Sequence, residues 1–185
     1  MNKYISIFFC VQIIALNLFA MQPKVTPVDY VRPQIDTHKS RWFFFSSASR
    51  PFGMVSLSPD TWTEGSWNSG YLYNSKEIRC FSHVHCWQLA GVPVMPTTGE
   101  VKGHKGMDAY KSTYSHETEI VKPGYHKVEL DTYQIRVELT STSRVGMHRY
   151  TYPAGEKANV LFDVGALLAH GKTEKAAIHR ISSKE

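Results

Sequence analysis

Cysteine is scarce in this chain, with three in 185 residues: Cys10, Cys80 and Cys86. On one straight strand, the Cα atoms of Cys80 and Cys86 would stand about 20 Å apart, far beyond the reach of a disulfide. A bridge would need a turn between them, so two free, mostly buried thiols are expected. No apolar run is long enough for a membrane span. The best candidate, residues 5–19, is about 15 residues against the roughly 20 required, and Gln12 and Asn17 interrupt it. Charge of one sign is not concentrated either: the net +5 comes from 21 basic and 16 acidic residues. They are scattered through the chain, which suits a solubilising surface better than a nucleic-acid footprint. No RNA- or DNA-binding motif, nucleophile elbow, phosphate-binding glycine loop or Ser-His-Asp signature is present.

What is present begins with a leader. Lys3 supplies a positive n-region, the apolar stretch follows, and Ala20 ends it as a small residue that a signal peptidase accepts. Residues 1–20 therefore read as a secretory signal peptide that takes Cys10 with it, and 21–185 as one globular domain, secreted or periplasmic. At this length one domain with a sizeable core can form. Pro23, Pro27 and Pro33 discourage helix in the approach segment, where residues 28–31 read as a short strand.

Residues 50–99 are dense in rings, imidazoles and turn formers. They contain Arg50-Pro51-Phe52-Gly53-Met54, Trp62, Trp67-Asn68-Ser69-Gly70-Tyr71, Phe81-Ser82-His83-Val84-His85-Cys86-Trp87 and Pro93-Val94-Met95-Pro96. Aromatic planes beside short polar groups suit the apolar faces and hydroxyl rims of sugars, and equally stacked bases or an apolar ligand.

Downstream the alternation becomes regular. Tyr125–Leu130 alternates, residues 131–134 make a turn, and Ile135, Val137 and Leu139 point one way while Arg136, Glu138 and Thr140 point the other. Residues 144–152 and 158–164 give two more strands around a turn at Pro153-Ala154-Gly155. No segment before Leu167 shows helical periodicity. The fold class that follows is all-β, an antiparallel β-sandwich.

Several residues carry competing readings. On a continuous strand His83 and His85 would share one face about 6.6–7 Å apart, close enough to hold one metal ion together. A small zinc protein centred on this pair is thus one alternative, its third ligand coming from His104, His116 or Cys86. Histidines that hydrogen-bond at a carbohydrate pocket, or inside the fold, weigh more. Trp67 sits in a polar loop that leaves its ring few local packing partners, and contact with a ligand competes there with a place in the core. Glu117 and Glu119 share a face of a strand-like run and Asp60 and Glu100 lie near turns, so a glycosidase-style acid pair can be drawn. Solvated or salt-bridged carboxylates are the simpler reading. Arg144, His148 and Arg149 read as charge-assisted braces of the sandwich. Trp42 and Phe43 to Phe45 read first as core.

The ordered series PFGMVSLSPDT, WNSGY, FSHVH, PVMPTTGE, YKSTYSHETEIVKPGYHKVEL and ELTSTSRVGMHRYTYP resembles the N-terminal domain of family-92 glycoside hydrolases, calcium-dependent exo-acting α-mannosidases. The likeness runs from about Asp29 to Ser182. It departs from the family at residues 35–49, where a glycine-rich turn would be expected, and at Trp87 and Gln88. The resemblance implies a supersandwich-like, galactose-mutarotase-like domain, here incomplete at its C-terminal end. It also implies a substrate pocket for mannose-containing glycans, to which Trp67, Asn68, Tyr71, His83 and His85 would contribute as substrate-binding residues. In such enzymes the catalytic carboxylates and the principal calcium ligands belong to a helical C-terminal domain. No catalytic or metal-ligating residue is therefore assigned to this chain, which reads as a truncated domain, inactive alone. A stand-alone secreted carbohydrate-binding module is the other alternative.

Overall fold

The computed structural model describes residues 24–38, 48–64, 70–85, 91–166 and 173–182. The chain divides into two units, Met1–Val31 and Arg32–Glu185. In the first, the short strand expected at residues 28–31 is instead a 3-10 turn, Pro27–Tyr30. The Asp29 carboxylate accepts from the backbone N–H of Thr26 at 2.7 Å and from its hydroxyl at 2.8 Å. Pro27 fixes the first backbone torsion, so these short-range bonds close the turn over a weak β pattern.

The second unit is built from antiparallel strands: β1 (Ala48–Ser49), β2 (Ser56–Asp60), β3 (Glu77–Ile78), β4 (Cys80–Ser82), β5 (Val94–Thr98), β6 (Ser112–Thr113), β7 (Ile120–Lys122), β8 (Tyr125–Leu130), β9 (Ile135–Ser141), β10 (Gly146–Thr151) and β11 (Ala158–Phe162). One helical turn, α1, spans Met107–Tyr110. The strands form a five-stranded sheet in the order β1-β2-β4-β5-β11, a four-stranded sheet β10-β9-β8-β7, and the pair β3-β6. β1 and β2 of the first sheet pack on β9 of the second, and β1 also meets β8, which is the expected sandwich.

The β8–β9 hairpin shows why the pattern produces this packing. Its register opposes Val128 to Val137 and Leu130 to Ile135. With Leu139, these side chains line the inner face at 0–1 % exposure. Each such burial stabilises by about 1.5–3 kcal/mol. Leu57, Phe81 and Met95 meet them from the five-stranded sheet, with Tyr110 and Tyr114 closing one side. On the outer face, opposite charges stand across strands: Arg136 donates to Glu129 at 2.8 Å, and Arg149 clasps Glu138 through Nε at 2.6 Å and Nη2 at 2.5 Å. Arg149 is thus the charge-assisted brace expected of it, while Arg144 is exposed.

Candidate functional site

The end of β4 decides what the two sequence-adjacent histidines can do. Register pairs Asp60 with Cys80 and Ser58 with Ser82, so these four side chains share one face of the five-stranded sheet. The strand stops at Ser82 and the backbone bends at His83. His83 keeps the face of Phe81, towards the other sheet. His85, swung round by the bend, returns to the opposite face.

There His85 Nε2 lies 2.7 Å from Asp60 Oδ1, and its Nδ1 lies 2.6 Å from the Ser56 carbonyl oxygen. Both ring nitrogens face acceptors, so both carry protons and the ring is an imidazolium paired with the Asp60 carboxylate. Burial pushes the His85 ring towards its neutral form, but the Asp60 charge, the Asp60 hydrogen bond and the Ser56 carbonyl more than offset it, leaving its pKa raised. The side chains of His85 and Asp60 are 4 % and 1 % exposed. Ser82 Oγ also donates to Asp60, and Cys80 Sγ approaches the same carboxylate oxygen at 3.4 Å. Although a serine, a histidine and an aspartate meet here, they form no nucleophilic triad. Ser82 and Asp60 compete for one ring nitrogen, and the serine is fully buried. Cys80 is a free, buried thiol, as expected, while Cys86 lies outside the described residues.

His83 has a different neighbourhood. Its Nε2 lies 2.9 Å from Nε2 of His148 on β10, and the Tyr150 hydroxyl lies 2.7 Å from His148 Nδ1. The His83 and His148 ring centroids are 4.8 Å apart. Gly146 makes the approach possible: a Cβ there would stand 2.6 Å from His83 Cδ2, which no relaxed packing allows. Burial, then the neighbouring His83, holds His148 down at about 4, and burial also holds His83 below its ordinary value. His148 therefore braces the sandwich as a neutral ring, not through the charge-assisted bond its sequence context suggested. On the nearby loop, the backbone N–H of Met54 donates to the Ser143 carbonyl at 2.8 Å. The same loop exposes Met54 and the whole Phe52 side chain, with Phe52 at φ 59°. An aromatic held in that region and in solvent is a feature the sequence did not signal.

The second polar cluster surrounds Glu119, whose side chain is 2 % exposed. It accepts from the Tyr71 hydroxyl at 2.9 Å, His126 Nε2 at 2.8 Å, His116 Nδ1 at 2.5 Å and Gln34 Nε2 at 3.2 Å. Burial pushes the Glu119 carboxyl up, but the His126, His116 and Tyr71 hydrogen bonds pull it further the other way, so its pKa is lowered. Burial, then the Glu119 charge, pushes the Tyr71 phenol far up.

Set against the expected site residues, the structure separates the group. Trp67, Asn68, the four aromatics at residues 42–45 and the signal segment lie outside the described residues. Tyr71 is 0 % exposed, and its hydroxyl is committed to Glu119 and Gln34, so it is an interior brace and not a ligand-facing ring. The His85 side chain is likewise turned inward as a brace, while His83, among the described residues of the group, is half-exposed at the rim. Because the strand ends at Ser82, the expectation that His83 and His85 share a face fails, and with it the geometric basis of a zinc site on that pair. Among the described residues, no three His, Cys, Asp or Glu side chains stand where they could hold one metal ion. Of the four carboxylates from which an acid pair could be drawn, Asp60 and Glu119 are deeply buried and consumed by hydrogen bonds, while Glu100 and Glu117 are exposed. A recess of about 210 Å³ on the outer sheet face is lined by Tyr125, Glu138, Leu139, Thr140, Met147 and Arg149. Its Tyr125, Glu138 and Arg149 side chains are bonded to one another, and the Thr140 hydroxyl donates to the Gly124 carbonyl. No described helix is long and apolar enough to cross a membrane.

Comparison with known proteins places this arrangement. No curated protein sequence matches the chain. Among solved structures, a family GH92 α-mannosidase from Bacteroides thetaiotaomicron is 36 % identical with a TM-score of 0.65, over 72 % of this chain and 19 % of that one. That structure in complex with mannoimidazole matches at 36 % identity and a TM-score of 0.60, over 68 % and 18 %. A family GH92 inverting mannosidase of the same organism is 28 % identical with a TM-score of 0.61, over 75 % and 20 %. The chain thus spans about a fifth of the length of these relatives. The sequence profile of the glycosyl hydrolase family 92 N-terminal domain matches residues 30–185. A sandwich with this topology, these solved neighbours and a match over most of its length belongs to glycoside hydrolase family 92, as its N-terminal domain.

Proposed function

We propose that this domain forms part of the substrate pocket of a secreted α-mannosidase that removes terminal mannose from α-mannosides. The observation that carries the reading is the family match over residues 30–185, joined to structural likeness to mannosidases, one of them solved with mannoimidazole bound. The rim bearing His83 supports it, since a half-exposed imidazole can hydrogen-bond a sugar hydroxyl. Trp67 and Asn68 complete the proposed contact, with the indole stacking on the sugar's apolar face. Tyr71 and His85 act behind this surface, holding the strands that carry it.

In this reading the chemistry lies elsewhere in the protein. Inverting hydrolysis needs one carboxyl to protonate the leaving oxygen and a second, about 6.5–9.5 Å away, to activate water from the opposite side. Asp60 and Glu119 are too buried and too fully bonded for either task. Both acids, and the calcium ligands the resemblance implies, are assigned to protein beyond this domain. Apolar side chains exposed on edge strands agree with further protein packing there: Met147 on β10, and Val160 and Phe162 on β11.

The purified chain is expected to release no mannose from an α-mannoside in the presence of calcium, yet to bind methyl α-mannoside saturably by calorimetry. Trp67→Ala should abolish that binding without unfolding the domain. Calcium-dependent mannose release by this chain would overturn the assignment of the acids. Secretion is checked separately, by N-terminal sequencing of exported protein for cleavage near Ala20.

A further inference from the structure

The hydrogen bonds at the rim run in one direction. A phenol donates readily, and among the described residues the Tyr150 hydroxyl has one hydrogen-bond partner, His148 Nδ1. If Tyr150 donates there, His148 Nδ1 carries no proton. The proton of the neutral ring must then sit on Nε2, which faces His83 Nε2 at 2.9 Å. Two N–H groups cannot point at each other across that distance, so His83 Nε2 accepts and the His83 proton sits on Nδ1. That nitrogen has no hydrogen-bond partner among the described residues, and the ring is half-exposed.

We infer that Tyr150 and His148 are positioning residues that fix the tautomer of His83, so that it presents Nδ1–H as a ready donor to an oxygen acceptor, the hydroxyl or ring oxygen of a sugar. The choice of ligand class rests on the function proposed above; the tautomer does not. Three features support a built device. Gly146 clears the space that lets the two rings meet. Burial holds both imidazoles on the neutral side at neutral pH. The joint also links β10 of one sheet to the end of β4 in the other, so the donor's direction is set by the sandwich itself. A donor fixed in advance loses less freedom on binding than a ring free to choose its tautomer.

Long-range nitrogen-15 spectra of the full chain at pH 7 test this. His148 should be protonated at Nε2 alone and His83 at Nδ1 alone. In Tyr150→Phe the single-tautomer signature of both rings should be lost, and affinity for methyl α-mannoside should fall by up to about tenfold. Gly146→Ala, which replaces no titratable group but sets a methyl against the His83 ring, should uncouple His83 from His148 and give a mixed His83 tautomer while His148 keeps its Tyr150 bond. Either variant suffices if the other fails to fold, and the wild-type spectrum stands alone. A His83 ring protonated at Nε2 or at both nitrogens in the wild type overturns the inference, as does an unchanged His83 spectrum in a folded variant. The expected tautomers without mannoside binding would support the relay while rejecting the sugar pocket.

Discussion

Asp60→Ala is expected to remove about 3–5 kcal/mol of folding stability, the cost of leaving a buried charge without its partner. Domains of this kind hold only about 5–15 kcal/mol in total, so the variant should be partly unfolded at 37 °C. The geometry makes the loss severe. His85 is an imidazolium because both of its nitrogens face acceptors, and removing Asp60 leaves it charged in the interior without its carboxylate counter-charge, or forces it to shed a proton. Ser82 and Cys80 lose their shared acceptor in the same step. Urea unfolding followed by tryptophan fluorescence reads the loss as a lower midpoint at unchanged slope. Ser82→Ala is the calibrating variant, since it removes one donor and strands no charge, and should cost about 1–3 kcal/mol. Equal losses in the two variants would show that the charge pair is not what holds β2 to β4.

This pairing also sets one limb of the pH profile. The His85 pKa is raised above its ordinary 6.5, so its contribution is complete below 6.5 and disappears as pH rises through the folded value. The acid limb has the opposite origin. The Glu119 pKa lies below its ordinary 4.5, so its contribution is complete above 4.5 and is lost as pH falls through the folded value. His148, held at about 4, adds to the acid limb, because below 6.5 the unfolded chain takes up a proton that the folded chain refuses. Stability should therefore peak near neutrality and fall on both sides. Asp60→Asn should flatten the alkaline limb alone.

The sequence made the hairpin legible and the site only partly so, for physical reasons. β8 and β9 bury one face and solvate the other, so their apolar residues alternate and even their register can be anticipated. β2, β4 and β5 are buried almost throughout, and a strand with no wet face has no alternation to read. Pro27–Tyr30 misled because two short polar contacts decide it, not a pattern. The histidines misled for a related reason. Their common face assumed that β4 runs on past Ser82, and where a strand stops depends on what its last residues find across the sheet. His85 finds Asp60, 25 residues back along the chain, and Tyr71 finds Glu119, 48 residues ahead. His148 and Tyr150 were visible as residues of an alternating strand, but nothing in the chain's order marks the meeting of His148 with His83, 65 positions away.

Glu119 accepts from four side chains, two of them 48 and 85 residues away, and Glu119→Gln is the second variant with a large expected effect. The substitution preserves volume but turns one acceptor oxygen into an NH2 donor, and neither oxygen can be spared. Oε1 receives Tyr71 and His126, while Oε2 receives His116, Gln34 and Tyr71 again. Whichever way the amide turns, its hydrogens face other donors, and His126 at 0 % exposure has little access to water in their place. A loss of about 3–5 kcal/mol is expected, as for other buried charged groups deprived of a partner. In a domain of this size that lowers the melting temperature by roughly 10 °C. The effect should reach beyond stability. Tyr71 follows Gly70, which pairs with Trp62 across an isolated bridge, so loosening Tyr71 loosens the anchor from which the chain segment with Trp67 and Asn68 departs. Mannoside affinity should therefore drop in Glu119→Gln under conditions where the variant is still folded, and amide exchange should quicken at Gly70 and Leu72 before it does in the β8–β9 hairpin. A loss below about 1 kcal/mol with unchanged exchange at those amides would show that water can replace the carboxylate, and that the Trp62–Gly70 bridge is held by something else.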